Sequence, residues 1–215
     1  QYICVQYYIL SDDHLGQELT DHLCEKASSG VAVYLLYDEI GSHGISSQFL
    51  KKLTRAGVRV SRFNPLQLRN RFQLNFRNHR KLVICDGQYA FVGGYNVDEV
   101  YVTTDDIRDT HVEISGPSVL AFQLAFTEDW YWATQSVPAI QWQPPKAEGT
   151  SNVMTIPTGP ADDAESASLF FTHLIHKARQ RCWLVSPYFV PDQSLVAAMQ
   201  LAGLRGVDIR ILIPE

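Results

Sequence analysis

The sequence has no excess of positive charge. Its 18 Lys and Arg stand against 23 Asp and Glu, a formal net charge of −5. A surface built throughout to grip a polyanion is excluded, although a local basic patch is not. Cysteines are few, at positions 4, 24, 85 and 182, and none forms a CxxC pair. Three lie in apolar runs (YICVQYYIL, KLVICDG, RCWLV), so they read as small buried hydrophobes of a reducing compartment, not as a disulfide framework. No stretch approaches the roughly 18–20 apolar residues of a membrane span, and no signal peptide is visible. Gln1 opens directly into one strand-like run and Glu215 closes directly on another, ILIPE, so both ends read as truncated.

What is present is the mix of a soluble globular protein: 46% hydrophobic and 19% charged residues over 215 positions, enough for one large domain or two small ones. That excludes a disordered tail, a collagen-like fibre and a disulfide-dense mini-protein. Strands are predicted at 2–10, 31–37 and 58–63, separated by helices at about 14–28 and 45–56. Ser11-Asp12-Asp13 supplies a cap for the first helix, and Gly57 a stop for the second. Strand–helix–strand alternation with short turns argues for a mainly parallel sheet covered by helices. A loop over 64–78 follows, then strands at 81–85 and 89–93 around an Asp86-Gly87 turn, a strand at 111–114, and a helix from Gly116-Pro117 to about 133. Val119, Phe122, Phe126 and Trp130 form its core stripe.

Five of the ten prolines fall within 134–160, which reads as a linker or a wandering surface segment. A helix at about 162–181, a strand at 182–187, a helix at about 192–203 and a strand at 207–213 complete the chain. This last part repeats the first: VQYYILSDD (5–13) aligns with VSPYFVPDQ (185–193), placing Tyr8 on Tyr188 and Asp12 on Asp192 at an offset of 180. SGVAVYLLYDE (29–39) aligns with RGVDIRILIPE (205–215) at an offset of 176, a difference that fits a shorter loop after Asp192. The expected organisation is one full repeat over 1–135, a linker over 136–160 and the start of a second repeat over 161–215.

The chemistry concentrates in HRKLVICDGQYAFVGGYN, residues 79–96. His79 and Lys81 are two apart at the start of a strand, so their side chains share a face. A nucleophile or base beside a fixed cation suits an anionic substrate, above all a phosphate: imidazole attacks phosphorus while ammonium holds the non-bridging oxygens. Gly93-Gly94 permits close backbone approach, and Asn96 adds an amide donor.

His79, Lys81, Asp86, Gly93, Gly94 and Asn96 resemble, at matching spacing, the HxKxxxxD motif and following GGxN of the phospholipase D superfamily. YYILSDDHLGQEL, GVAVYLLYDEIGS, AGVRVSRFNP, RDTHVEISGPSV and SPYFVPDQSLVAAM make the whole chain most similar to bacterial cardiolipin synthases. The resemblance implies an α/β phospholipase D-like fold, a mainly parallel mixed sheet flanked by helices, in which two HxKxxxxD copies meet in one site. Here the second copy is expected on the order of 40 residues beyond Glu215, if the repeat keeps its spacing. Either that missing part or a homodimer partner then supplies it. The implied activity is phosphatidyl transfer, making cardiolipin from phosphatidylglycerol and a second phospholipid through a phosphohistidine, with no cofactor and no metal. In that scheme His79 is the nucleophile, although which of the two histidines attacks stays open. Lys81, Asn96 and Gly94 bind the phosphoryl group, and Asp109, 30 residues after His79, orients the imidazole. Asp86 belongs to the motif but reads better as a turn and ion-pair residue than as an acid.

His111, two residues after Asp109, reads either as a support behind the site or as an ordinary structural histidine. His173 and His176 lie three apart on a predicted helix without a third metal ligand nearby; His14, His22 and His43 carry no pattern. Gly41-Ser42-His43 reads as an ordinary turn. In the loop, Arg69, Arg71, Arg77 and Arg80 alternate with Leu66, Leu68, Phe72, Leu74 and Phe76. That mix suits an anionic bilayer surface, equally a packed loop, and less readily a nucleic acid, which is not an expected partner. The expected location is the bacterial cytoplasmic membrane, with the catalytic domain facing the cytoplasm. Rival readings are a lipid hydrolase or nuclease of the same superfamily, or a binding module that lost its chemistry.

Overall fold

The computed structural model describes residues 1–63, 77–104, 107–147, 149–159 and 165–214. The chain divides into two compact units, Gln1–Pro157 and Thr158–Glu215.

The first unit is built on β1 (Tyr2–Tyr7), β2 (Ala32–Asp38), β3 (Arg59–Phe63), β4 (Leu82–Cys85), β5 (Tyr89–Gly93) and β6 (His111–Ser115), in the order β3-β2-β1-β4-β5-β6. β1, β2 and β3 pair in parallel, while β4, β5 and β6 continue the sheet antiparallel. Four of the six strands therefore run one way. β2 (AVYLLYD) is apolar on both faces because helices cover both. Helices α1 (His14–Ser28) and α2 (Ser47–Arg55) cover one face, packing Leu23, Phe49 and Leu53 with Val5, Val33 and Leu35 of the sheet. After the one-turn helix α3 (Val100–Thr103), α4 (Val119–Thr134) packs Phe126 and Trp130 against Cys4, Tyr34, Leu36 and Ile84 on the other. Asp13 caps α1 by accepting from the Gly16 amide at 2.8 Å, and Ser46 caps α2 through Phe49 at 3.1 Å. Asp86 and Gly87 both take positive φ, 53° and 66°, and close the β4–β5 hairpin.

β1 ends at Tyr7, short of the predicted residue 10. Beyond it the backbone leaves the sheet for partners from two loops: the Ile9 amide donates to Asn96 Oδ1 at 3.0 Å, and the Leu10 amide to Ser42 Oγ at 3.0 Å. The stretch after α4 is not a free linker over its whole length. The Ala139 amide donates to Tyr34 Oη at 2.9 Å, and the Gln141 carbonyl accepts from Gln123 Nε2 at 2.6 Å. Ile140 packs on the α4-side core. Proline richness there marks an extended strap, not detachment.

The second unit holds α5 (Ser166–Lys177), β7 (Arg181–Val185), α6 (Gln193–Leu204) and β8 (Asp208–Leu212), with β7 and β8 parallel around Ile175, Ala198, Ala202 and Val207. α5 stops short of the predicted 181, because Ala178 turns extended to lead into β7. Strand register also revises the internal alignment by one residue. Tyr2 pairs with Ala32 as Arg181 pairs with Asp208, and the helix caps Asp13 and Asp192 correspond. Asp192 therefore matches Asp13 rather than Asp12, and Tyr188 falls opposite Ile9 rather than Tyr8. The length difference lies in the helix itself, 15 residues against 12, and not in a loop after Asp192.

Candidate active site

The site lies where the carboxyl ends of β1 and β2 meet the entry to β4. Residues 78–81 are extended and alternate strictly. Asn78 and Arg80 turn toward α4, where Asp129 Oδ2 accepts from Asn78 Nδ2 at 2.7 Å and from Arg80 Nη1. His79 and Lys81 turn the other way, onto the ring of Tyr8. The His79 imidazole stacks on that ring with centroids 3.8 Å apart and planes 20° apart. The Lys81 ammonium sits 5.4 Å from the centroid of the same ring and donates to the His79 carbonyl at 2.6 Å. The period-two expectation for His79 and Lys81 therefore matches the geometry, although the ladder itself begins only at Leu82.

Burial and four neighbouring charges set the charge state. Partial burial pushes the His79 pKa below its ordinary value of 6.5, the Lys81 charge and then Arg77 push the same way, and Asp38 partly opposes them. Burial likewise pushes Lys81 down, while the Asp109 carboxylate pulls it back up. The result is a neutral imidazole beside an ammonium, the pairing a nucleophile needs near neutral pH. Because the pKa is depressed, protonation of His79 removes activity only on the acid side. The acid limb of a kcat/KM–pH profile should lie below pH 6.5, and an acid limb at or above 6.5 would contradict it.

Asp38 was missed by sequence reasoning. It is buried, with Oδ1 accepting the Ile40 and Gly41 amides, each at 3.0 Å, and Oδ2 accepting the Asn78 amide at 3.2 Å. It thus ties the end of β2 to the residue before His79. The only sequence signal is an acid closing an otherwise apolar strand. Asp129 was missed for the same kind of reason, an acid in an apolar helix. Gln6 Nε2 also donates to its Oδ2, at 2.7 Å. Arg80, expected among the bilayer-facing arginines, is instead committed to Asp129.

Asp109 lies beside the motif, but its carboxylate is not joined to His79 among the described residues. It accepts from the Thr110 amide at 2.6 Å and rests over Gly94, where an added Cβ would stand 1.9 Å from Oδ2. His111 packs on Gly93 and stacks on Tyr95, with centroids 5.5 Å apart, behind the site. Asn96 is buried and largely committed: besides the Ile9 contact, its Nδ2 donates to Tyr101 Oη at 2.7 Å. One amide hydrogen remains. Asp86 does not join the site. It lies at the other end of β4, about 16 Å along the strand from Lys81. Its Oδ1 accepts the Tyr2 amide at 2.6 Å, and among the described residues it forms no ion pair. Arg77 is half-buried, and among the described residues its buried Nη1 has no hydrogen-bond partner. Arg69, Arg71, Phe72 and Phe76 lie outside the described residues. Among the described residues no cluster of three or more His, Cys, Asp or Glu is placed to hold a metal ion, and no helix is long and apolar enough to cross a membrane.

The mixed sheet covered by helices, with His79 and Lys81 brought together on one ring where its central strands end, is the fold expected of a phospholipase D-like domain. The model of the family "Cardiolipin synthase, PLD-like domain" matches residues 1–130 and 171–215, and the chain belongs to that family. It is 47% identical over 220 residues to cardiolipin synthase A of Pseudomonas aeruginosa, covering 100% of this chain and 45% of that protein. It is 45% identical over 218 residues to cardiolipin synthase A of Pseudomonas fluorescens, covering 99% and 46%. The chain thus spans about half the length of these curated relatives. In fold it is similar to the phosphatidylserine synthase of Haemophilus influenzae, with a TM-score of 0.69 at 14% identity, covering 99% of this chain and 56% of that one.

Proposed function

We propose that the full protein is a phosphatidyltransferase that makes cardiolipin from phosphatidylglycerol and a second phospholipid. The observation that carries this is the neutral His79 imidazole held beside the Lys81 ammonium on one aromatic ring. In the first step an imidazole nitrogen of His79 forms a bond to the lipid phosphorus as the bond from phosphorus to the leaving glycerol oxygen breaks. The departing alkoxide takes a proton from the histidine of a second HxKxxxxD half. In the second step that histidine takes the proton of the acceptor hydroxyl. The acceptor oxygen bonds to phosphorus, and the phosphorus–nitrogen bond breaks. Lys81 and the remaining Asn96 amide hydrogen meet the non-bridging oxygens, where charge accumulates. Asp109 keeps Lys81 cationic despite its burial.

The 47% identity to cardiolipin synthase A over the whole chain supports the lipid substrate. The second half comes from chain beyond this segment or from a homodimer partner. The enzyme works at a bacterial membrane surface, with this domain on the cytoplasmic side and with Arg69, Arg71, Phe72, Phe76 and Arg77 contacting the lipid. The organisation is one repeat followed by the opening of another. The test is to incubate the full-length protein with phosphatidylglycerol in detergent and follow lipids by mass spectrometry. Cardiolipin together with free glycerol supports transfer. Phosphatidic acid alone makes the protein a hydrolase, and no lipid product removes the lipid reading altogether.

A further inference from the structure

Tyr8 is absorbed neither by the motif nor by the scheme above, yet its ring touches both motif side chains. We propose that Tyr8 is a positioning residue of the transfer site: its ring is the shelf that fixes the plane of the His79 imidazole, keeps water off one face of it, and sets the Lys81 ammonium beside it. The inference rests on His79 being a reacting group, as proposed above.

The placement is built rather than incidental. Tyr8 follows the last residue of β1, where the backbone has left the ladder and is held from both sides. Its carbonyl accepts from Ser42 Oγ at 3.0 Å, and the next amide donates to Asn96 Oδ1. Gly41 leaves the room the ring needs, since a Cβ there would stand 2.3 Å from the Tyr8 carbonyl oxygen and 2.9 Å from the ring atom Cε2. Among the described residues the Tyr8 hydroxyl hydrogen-bonds nothing, so the ring and not the phenol is what the site uses. Near-parallel stacking at 3.8 Å removes solvent from one imidazole face. Desolvation is the leading cause of the depressed His79 pKa. The other charged groups acting on His79 are Lys81, Arg77 and Asp38, none of which a substitution at Tyr8 removes.

Two substitutions separate the ring from its bulk. Tyr8→Phe keeps the shelf and should retain turnover within about three-fold. Tyr8→Leu keeps an apolar side chain but loses the flat face. It should lower kcat about ten- to a hundred-fold with little change in KM, because orientation is lost and no lipid contact is. A readout independent of turnover is the rate at which diethyl pyrocarbonate acylates His79 in the full-length protein, followed by peptide mass across pH. In wild type and Tyr8→Phe the midpoint should lie below 6.5, and in Tyr8→Leu it should move up toward that value as water reaches the ring. An unmoved midpoint in Tyr8→Leu, or equal loss of kcat in both variants, overturns the shelf. An inactive wild type with the expected midpoints overturns phosphatidyl transfer and leaves the shelf standing.

Discussion

Full-length protein carrying His79→Ala should lose cardiolipin formation by about 10⁴-fold or more, the scale on which covalent nucleophiles are felt when they are removed. His79 is only partly buried and its main packing partner is one ring, so the loss should come without unfolding. Losing one aromatic stack costs about 0.5–1.5 kcal/mol, a change a thermal melt resolves but survives. The same variant assigns roles between the two histidines the mechanism needs. With ³²P-labelled phosphatidylglycerol and rapid quenching in alkali, wild type should retain label as an acid-labile phosphorus–nitrogen adduct, and His79→Ala should retain none. Label that persists in His79→Ala would mean that the second histidine attacks, leaving His79 as the acid and base. Retained cardiolipin synthesis would remove His79 from the chemistry entirely.

How much of this was legible beforehand follows from the range of the interactions involved. Elements set by periodicity and caps were readable, since Asp13, the Gly57 stop and the Asp86-Gly87 turn act within a few residues of themselves. The pairing of His79 with Lys81 was readable too, because extended chain alternates. What carries those two side chains was not readable. Tyr8, Asp38 and Asp129 reach the motif across 71, 41 and 50 positions of sequence, and each looks locally like an ordinary strand-end or helix residue. Asp86 shows the opposite failure. It belongs to the motif by spacing, yet β4 carries it to the far end of the strand, where it holds a turn. The offset of 180 failed by one residue for a related reason. Short identities such as Tyr8 with Tyr188 outweighed the helix caps, whereas in the folded chain caps and strand register fix the correspondence.

Asp129→Ala should be the most damaging change outside the reacting groups. A single oxygen, Oδ2, accepts from Gln6, Asn78 and Arg80. Asn78 and Arg80 flank His79, so this carboxylate fixes the strand entry that aims His79 and Lys81 at Tyr8. Gln6 and Asn78 are 1% and 7% exposed, and among the described residues Gln6 Oε1 already has no partner, so the substitution strands buried amide donors that water does not reach. Each stranded group costs about 1–3 kcal/mol, and removal of the carboxylate from its ion pair with Arg80 adds to that. The expected loss is about 3–5 kcal/mol, or roughly 10 °C in Tm for a unit of this size. Asp129→Asn keeps an acceptor oxygen but gives up the charge and turns an amide toward three donors, so it should fall between. Activity should drop in both variants at temperatures where the fold persists, through kcat rather than KM. A melt within about 1 kcal/mol of wild type, together with an unchanged kcat, would show that Asn78 and Arg80 hold the motif without Asp129.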